Sequence, residues 1–295
     1  MWKGARRPAA LAGLFAVAVS AGMAGALAGP ATPAAASGLG IENLIRQSPV
    51  NSDDKTATIT CAKGERVIDA GGRIVYGDGK VIMDDVFPDP GLTFVNATGL
   101  ETDSYGENWL VEASVTCAPH LPGLEWVKAQ TTSNSNATKS LTVECSHGKT
   151  VLGNGYAITG GDGEAWVDEA VPDGGPGVPA TKVSLIGVEG DPYSGNWELD
   201  GFLICADPLP GQQVLSATST ASTNDEPTSA ECGPLQVITG STAEIHDGTG
   251  TVVLVEDKVL QGEGILGRET LAFGQVNDGT AGNWRVTTYA FCADG

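Results

Sequence analysis

Six cysteines set the frame for this chain. They stand at Cys61, Cys117, Cys145, Cys205, Cys232 and Cys292, at intervals of 56, 28, 60, 27 and 60 residues, so long and short gaps alternate. No CxxC occurs and no interval has zinc-finger spacing, which favours structural disulfides over metal or redox chemistry. Six cysteines permit 15 pairings. The alternation favours three internal pairs: Cys61 with Cys117, Cys145 with Cys205, and Cys232 with Cys292. Each pair closes a loop of 56 or 60 residues. Such a constraint on the unfolded chain is worth about 4 kcal/mol in the chain-entropy treatment.

Oxidation calls for export, and the N-terminus carries an export signal. Lys3, Arg6 and Arg7 form a positive n-region, Pro8 to Leu27 supplies small apolar residues, and Ala34, Ala35 and Ala36 precede Ser37. That order predicts a signal peptide over residues 1–36, cleaved after small residues. The mature chain then begins near Ser37, secreted or cell-surface associated. No second apolar run approaches the 18 or so residues needed to span a bilayer, so no transmembrane anchor is expected in it. The whole chain has 16 Lys plus Arg against 36 Asp plus Glu, a net charge of -20. A nucleic-acid binder needs basic partners for phosphate, so that class is excluded.

The residues around the cysteines repeat with them. Asn108-Trp109, Asn196-Trp197 and Asn283-Trp284 each place Trp eight residues before the second cysteine of a pair. Alternate positions between them are mostly apolar: Val111, Ala113 and Val115; Leu199, Gly201 and Leu203; Val286, Thr288 and Ala290. Strand side chains alternate with period two, so each Trp and its Cys share one core face, with Trp109, Trp197 and Trp284 as internal anchors. Ile74, Ile158 and Ile245 each fall 13 residues after the first cysteine, beyond runs that read as strand, tight turn and strand. With 41 Gly in 295 residues and no collagen period, many tight turns are expected and long helices are not. The one short helical pattern is Ile41 to Arg46.

Repeat borders fall at 37–120, 121–207 and 208–295. Leu121-Pro122-Gly123 and Leu209-Pro210-Gly211 follow two of the repeats, and the third has no such tail. The segment Gly38 to Thr60 is therefore expected to supply a missing strand to the third repeat and close a threefold body. Thr131 to Lys139 and Ser216 to Ser229 are polar and read as connectors. The fold expected is all-β: a three-repeat, disulfide-linked body, either β-prism-like or built of packed small β-sandwiches.

The Cys-Ala endings at Cys117-Ala118, Cys205-Ala206 and Cys292-Ala293, each with Asn-Trp eight to nine residues earlier, resemble those of uncharacterised secreted proteins of high-GC actinobacteria, as does the leader. The resemblance covers most of the mature chain and implies no catalytic residues. At the level of fold, the three repeats are similar to the three-sheet β-prism of some lectins, which implies glycan binding through loops at repeat ends.

Sharper chemical signatures are missing. Gly262 to Gly267 matches GxGxxG but is followed by a strand pattern, which makes it a turn rather than a dinucleotide site. No GxSxG, HExxH or P-loop is present. His120, His147 and His246 fall at different offsets in the repeats, so repetition builds no three-histidine ring. Asp78-Gly79, Asp84-Asp85, Asp162-Gly163-Glu164, Asp168-Glu169, Asp247-Gly248 and Glu256-Asp257 put acids on or near expected turns. Ca²⁺ is conceivable there, but EF-hand spacing is absent, and no cofactor is assigned. Asn96-Ala97-Thr98 and Asn136-Ala137-Thr138 match the glycosylation sequon. Trp126, Trp166, Tyr76 and Tyr156 stand outside the repeated Asn-Trp element and are the candidate contacts for a ligand or partner, with turns containing Asp78, Trp166 and Asp247 facing it. The function expected is that of a secreted, non-catalytic surface-interaction or envelope-associated structural protein, with a carbohydrate-binding, lectin-like module as the alternative. Its partner would be an extracellular protein or glycan.

Overall fold

Among the described residues, each repeat contributes six strands. The structure, a computed structural model, describes residues 38–102, 104–248, 250–260, 269–277 and 281–295. The leader and the Gly262–Gly267 run lie outside the described residues. The first repeat forms β1 (Glu42–Gln47), β2 (Lys55–Thr60), β3 (Glu65–Val75), β4 (Val81–Pro88), β5 (Phe94–Glu101) and β6 (Leu110–Pro119). The second forms β7 (Glu125–Gln130), β8 (Thr138–Glu144), β9 (Thr150–Thr159), β10 (Ala165–Pro172), β11 (Lys182–Glu189) and β12 (Glu198–Ala206). The third forms β13 (Gln213–Thr218), β14 (Glu226–Thr228), β15 (Gln236–His246), β16 (Val252–Val259), β17 (Thr270–Val276) and β18 (Arg285–Asp294).

These strands make three six-stranded antiparallel sheets, and every sheet takes half its strands from each of two repeats. The first sheet runs β1-β6-β3-β16-β17-β14, the second β7-β12-β9-β4-β5-β2, and the third β13-β18-β15-β10-β11-β8. The first, sixth and third strands of a repeat thus lie in one sheet, and its fourth, fifth and second strands in another. The joins are β3 to β16, β9 to β4 and β15 to β10, so the repeats are linked in a cycle. No sheet closes on itself as in a prism. The two alternatives read from the sequence merge: two half-sheets of each repeat face one another as in a small sandwich, while each half continues into a neighbour.

The disulfides tie those halves together. Cys61–Cys117, Cys145–Cys205 and Cys232–Cys292 all form, with Cα separations of 5.7, 5.9 and 5.7 Å. In each, one cysteine follows the second strand of its repeat and the other lies on the sixth strand, in a different sheet.

The expected strand transfer does not occur. The segment after Gly38 forms β1 and β2, which pair with β6 and β5 of their own repeat. Leu-Pro-Gly belongs to the start of the following repeat: Gly123 and Gly211, each with positive φ, precede β7 and β13 by two residues, as Gly40 precedes β1. The cycle closes instead through β16, β17 and β14 joining β3. Two smaller readings are also corrected. Ile41 to Arg46 lies largely in β1 rather than a helix, and the polar stretch Ser216 to Ser229 contains the end of β13 and all of β14.

Trp109, Trp197 and Trp284 are fully buried, and the alternate residues Val111, Ala113, Val115 and Cys117 are at most 1 % exposed. Each indole lies on a glycine of the fifth strand in the facing half-sheet. A Cβ on Gly99, Gly187 or Gly274 would meet the indole of Trp109, Trp197 or Trp284 at 2.8, 3.2 and 2.6 Å. These glycines stand ten residues before each Trp, a spacing present in the sequence.

Candidate functional site

The pseudo-threefold relation lets equivalent positions be compared, and the outer face of the second sheet differs from the other two. Across the join of the first and second repeats, it presents Phe87 from β4, Phe202 from β12 and Trp126 from β7. Trp126 and Phe202 are stacked at 5.3 Å between ring centroids, and Phe87 meets Phe202 edge-on at 5.1 Å. Phe202 pairs with Gly155 in the ladder, where a Cβ would lie 2.3 Å from the Val86 carbonyl oxygen and 2.6 Å from Pro88, so the glycine lets β9 approach β4 closely beneath the rings. Phe202 is buried beneath this arrangement, whereas Trp126 and Phe87 are half-buried. Trp126 Nε1 donates to the Pro88 carbonyl at 3.0 Å, so one face and the N–H of the indole also fasten β7 to β4.

Polar groups border the rings. Lys128 Nζ lies 2.7 Å from Asp200 Oδ2 and 5.8 Å from the Phe202 centroid. Asp85 shares this face by strand alternation and accepts the Ile158 N–H at 3.3 Å. Asp84 and Asp85, at a bulge in β4, interact with each other. Burial pushes both carboxyls up, and the charge of Asp85 adds to the effect on Asp84. The positions equivalent to Trp126, Phe202 and Phe87 carry Asn43, Ser114 and Lys258 in the first sheet, and Val214, Tyr289 and Val171 in the third. Among the described residues, the aromatic cluster is confined to the second sheet.

The other candidate contacts are dispersed. Trp166 is 2 % exposed, on β10 and not in a turn, where it packs in the core against Val188 and Gly190. Tyr156 is also buried, and burial holds its hydroxyl well above the usual tyrosine range. Neither has surface to offer a partner, because each falls on the inward-facing side of a strand buried on both faces. Tyr76 is 68 % exposed at the β3–β4 turn. Its carbonyl accepts from Tyr105, whose hydroxyl lies 3.0 Å from Asp78 Oδ2. The second repeat echoes this with Tyr193 and Asp162 at 2.7 Å, and the third substitutes Arg285 Nη2 at 3.4 Å from Asp247 Oδ2.

The acid pairs divide by location. Asp78, Asp162 and Asp247 do lie at turns and have positive φ. Asp84-Asp85, Asp168-Glu169 and Glu256-Asp257 instead lie within β4, β10 and β16, where they flank the joins between repeats. Among the described residues, no group of three or more His, Cys, Asp or Glu is arranged to hold a metal ion. His120 lies in the β6–β7 connection, His147 in the β8–β9 turn, and His246 at the end of β15, 3.3 Å from Glu244 Oε1.

Sequence reading missed the groups that serve the repeated indoles. Trp109 Nε1 donates to Glu101 Oε1 at 3.0 Å, and Lys55 Nζ sits 3.5 Å from the centroid of its ring. Trp197 Nε1 donates to Glu189 Oε1 at 2.8 Å, with Lys139 Nζ 4.7 Å above the ring. The third repeat puts Val276 and Glu226 at the corresponding places, and Trp284 Nε1 has no hydrogen-bond partner among the described residues. The glutamates stand eight residues before their Trp, a signal visible only after the repeats are aligned.

No protein-family model matches the chain, and no curated protein matches it.

Proposed function

We propose that this chain is a non-catalytic surface-interaction protein of the cell exterior, and that it works through the outer face of the second sheet. The observation carrying this reading is the Trp126–Phe202–Phe87 cluster, which spans the join of two repeats and exists only in the assembled body. An aromatic ring with part of its surface open, bordered by Lys128 and Asp200, suits recognition by contact area and a few oriented polar groups. The export signal and three disulfides support an extracellular setting. Retention of the folded protein on cell-envelope fractions, lost on Trp126→Ala with unchanged near-UV circular dichroism, is the expected result. Equal retention of the variant would overturn the assignment of this face.

A carbohydrate ligand is the second reading. Trp126 and Phe87 offer rings for stacking, and Asp200 and Lys128 can bond hydroxyls at the same face. A glycan array separates the two readings. Reproducible saccharide binding that disappears in Trp126→Ala selects the carbohydrate, and a blank array leaves a protein or envelope partner.

A further inference from the structure

The axis on which the three repeats meet is lined by β3, β9 and β15, and it encloses carboxyl groups. Asp69 is 2 % exposed. Its Oδ1 accepts the N–H of Asn154 and its Oδ2 the N–H of Ser241, both at 3.2 Å, so one side chain of the first repeat binds the backbones of the other two. Gly153 and Gly240 occupy the equivalent positions. A Cβ on Gly153 would lie 2.4 Å from Asp69 Oδ1, and one on Gly240 would lie 2.7 Å from Asp69 Cγ. The axis has room for one carboxyl, and two glycines provide it.

A second acid faces the same space. Asp257 on β16 lines a small cavity of about 10 Å³ with Asn154, Tyr156, Gly72, Met83 and Val86. That volume suits roughly a single water molecule. Burial pushes the Asp257 carboxyl up to about 7; contact with Ser241 opposes this and the charge of Glu256 adds to it. Burial likewise holds Asp69 well above the usual carboxylate range, and Asp257 raises it further, against the amides of Asn154, Ser241 and Ala70. Around them, Tyr156 on β9 and Asp84 and Asp85 on β4 add only acidic groups. The cations of the neighbouring strands are engaged on the opposite face, with Lys258 at 3.0 Å from Glu112 and 2.9 Å from Glu256, and Arg73 at 3.3 Å from Glu256.

We propose that the axis is a proton-dependent clasp, in which Asp69 accepts the amides of the other two repeats while Asp257 stays neutral beside it, and ionisation of Asp257 puts an uncompensated charge at the axis and loosens the repeats. The sign follows from linkage. A carboxyl whose folded pKa lies above its unfolded value keeps its full stabilising effect below about pH 4, and that effect is lost as pH rises through the folded value, about 7 for Asp257. Across that window one such group lowers the folding equilibrium constant by up to about tenfold per pH unit. The closed body is therefore firmest in a mildly acidic medium.

Urea unfolding of the full chain between about pH 5 and 8 tests the clasp. The midpoint of the wild type is expected to fall as pH rises, and Asp257→Asn, neutral at every pH, is expected to fall less steeply. A wild-type midpoint that is flat or rising over this range, or a variant with the same slope, overturns the proposal. Should Asp257→Asn fail to fold, infrared difference spectra of a chain carrying Asp84→Asn and Asp85→Asn, whose carboxyls would otherwise titrate in the same range, decide: a protonated-carboxyl band that disappears between these pH values supports the clasp, and its absence overturns it.

Discussion

Arg73 and Glu256 face each other across the join of the first and third repeats, with Nε and Oε2 3.3 Å apart. The equivalent pair between the second and third repeats is Glu244 and Glu169, two acids directly opposite. Tyr289 donates to Glu244 and His246 lies beside it, while Glu169 is pushed up by burial and by the Glu244 charge. Like charges directly opposite in a sheet cost a few tenths of a kcal/mol or more. Glu169→Gln should raise stability near neutral pH by about 0.5 kcal/mol, less at high salt because the site is partly exposed. The gain should vanish as pH falls and Glu169 takes up its proton. Thermal melts at two pH values check both statements.

The three repeated indoles should not respond alike to Trp→Phe. All three changes remove similar ring volume. Trp109→Phe and Trp197→Phe also remove one of the two donors to Glu101 or Glu189, whereas Trp284 has no such bond to a glutamate to lose. Hydrogen bonds to charged groups are worth about 1.5–3 kcal/mol. Trp284→Phe should therefore be the mildest change by roughly that margin, read from denaturant midpoints. Equal losses at all three positions would contradict it.

Removing one disulfide should cost most of its loop-closure contribution. All six cysteines are at most 8 % exposed, so the native bonds should resist thiol reductants until the body opens. The double change Cys145→Ala with Cys205→Ala should lower unfolding free energy by about 4 kcal/mol. Mass mapping of alkylated cysteines under increasing denaturant checks the first expectation, and equilibrium unfolding the second.

The two ends of the described body meet, since a Cβ on Gly38 would lie 2.5 Å from the carbonyl carbon of Gly295. A chain joined there by a short linker and reopened in the β6–β7 connection near His120 should fold with native disulfides and a similar melting temperature. Scrambled disulfides in that permutant would show that the first repeat must be made before the other two.

Much of the scaffold was legible because it is local. Period-two alternation placed Trp109 and Cys117 on one face, and the cysteine rhythm predicted the pairing. Which half of a repeat joins which neighbour depends on contacts far apart in sequence, such as Arg73 with Glu256, and left no local pattern. The same limit explains Trp166 and Tyr156. Isolated aromatics looked available for contact, but their strands are covered on both faces by residues from other segments. Trp126 differs because β7 is an edge strand, with one side of the indole laid on Phe202.

Sharing each sheet between two repeats also fixes how many repeats such a chain can have. Deleting one leaves two raw strand edges, β-rich and aggregation-prone, with no partners of the right hand to cover them. Adding a fourth widens the angle at every corner and opens a hole where Asp69 now fits between two glycines. Growth or shrinkage of this architecture is thereby confined to its loops, and a tandem duplication that is tolerable in an open solenoid would here be lethal to the fold.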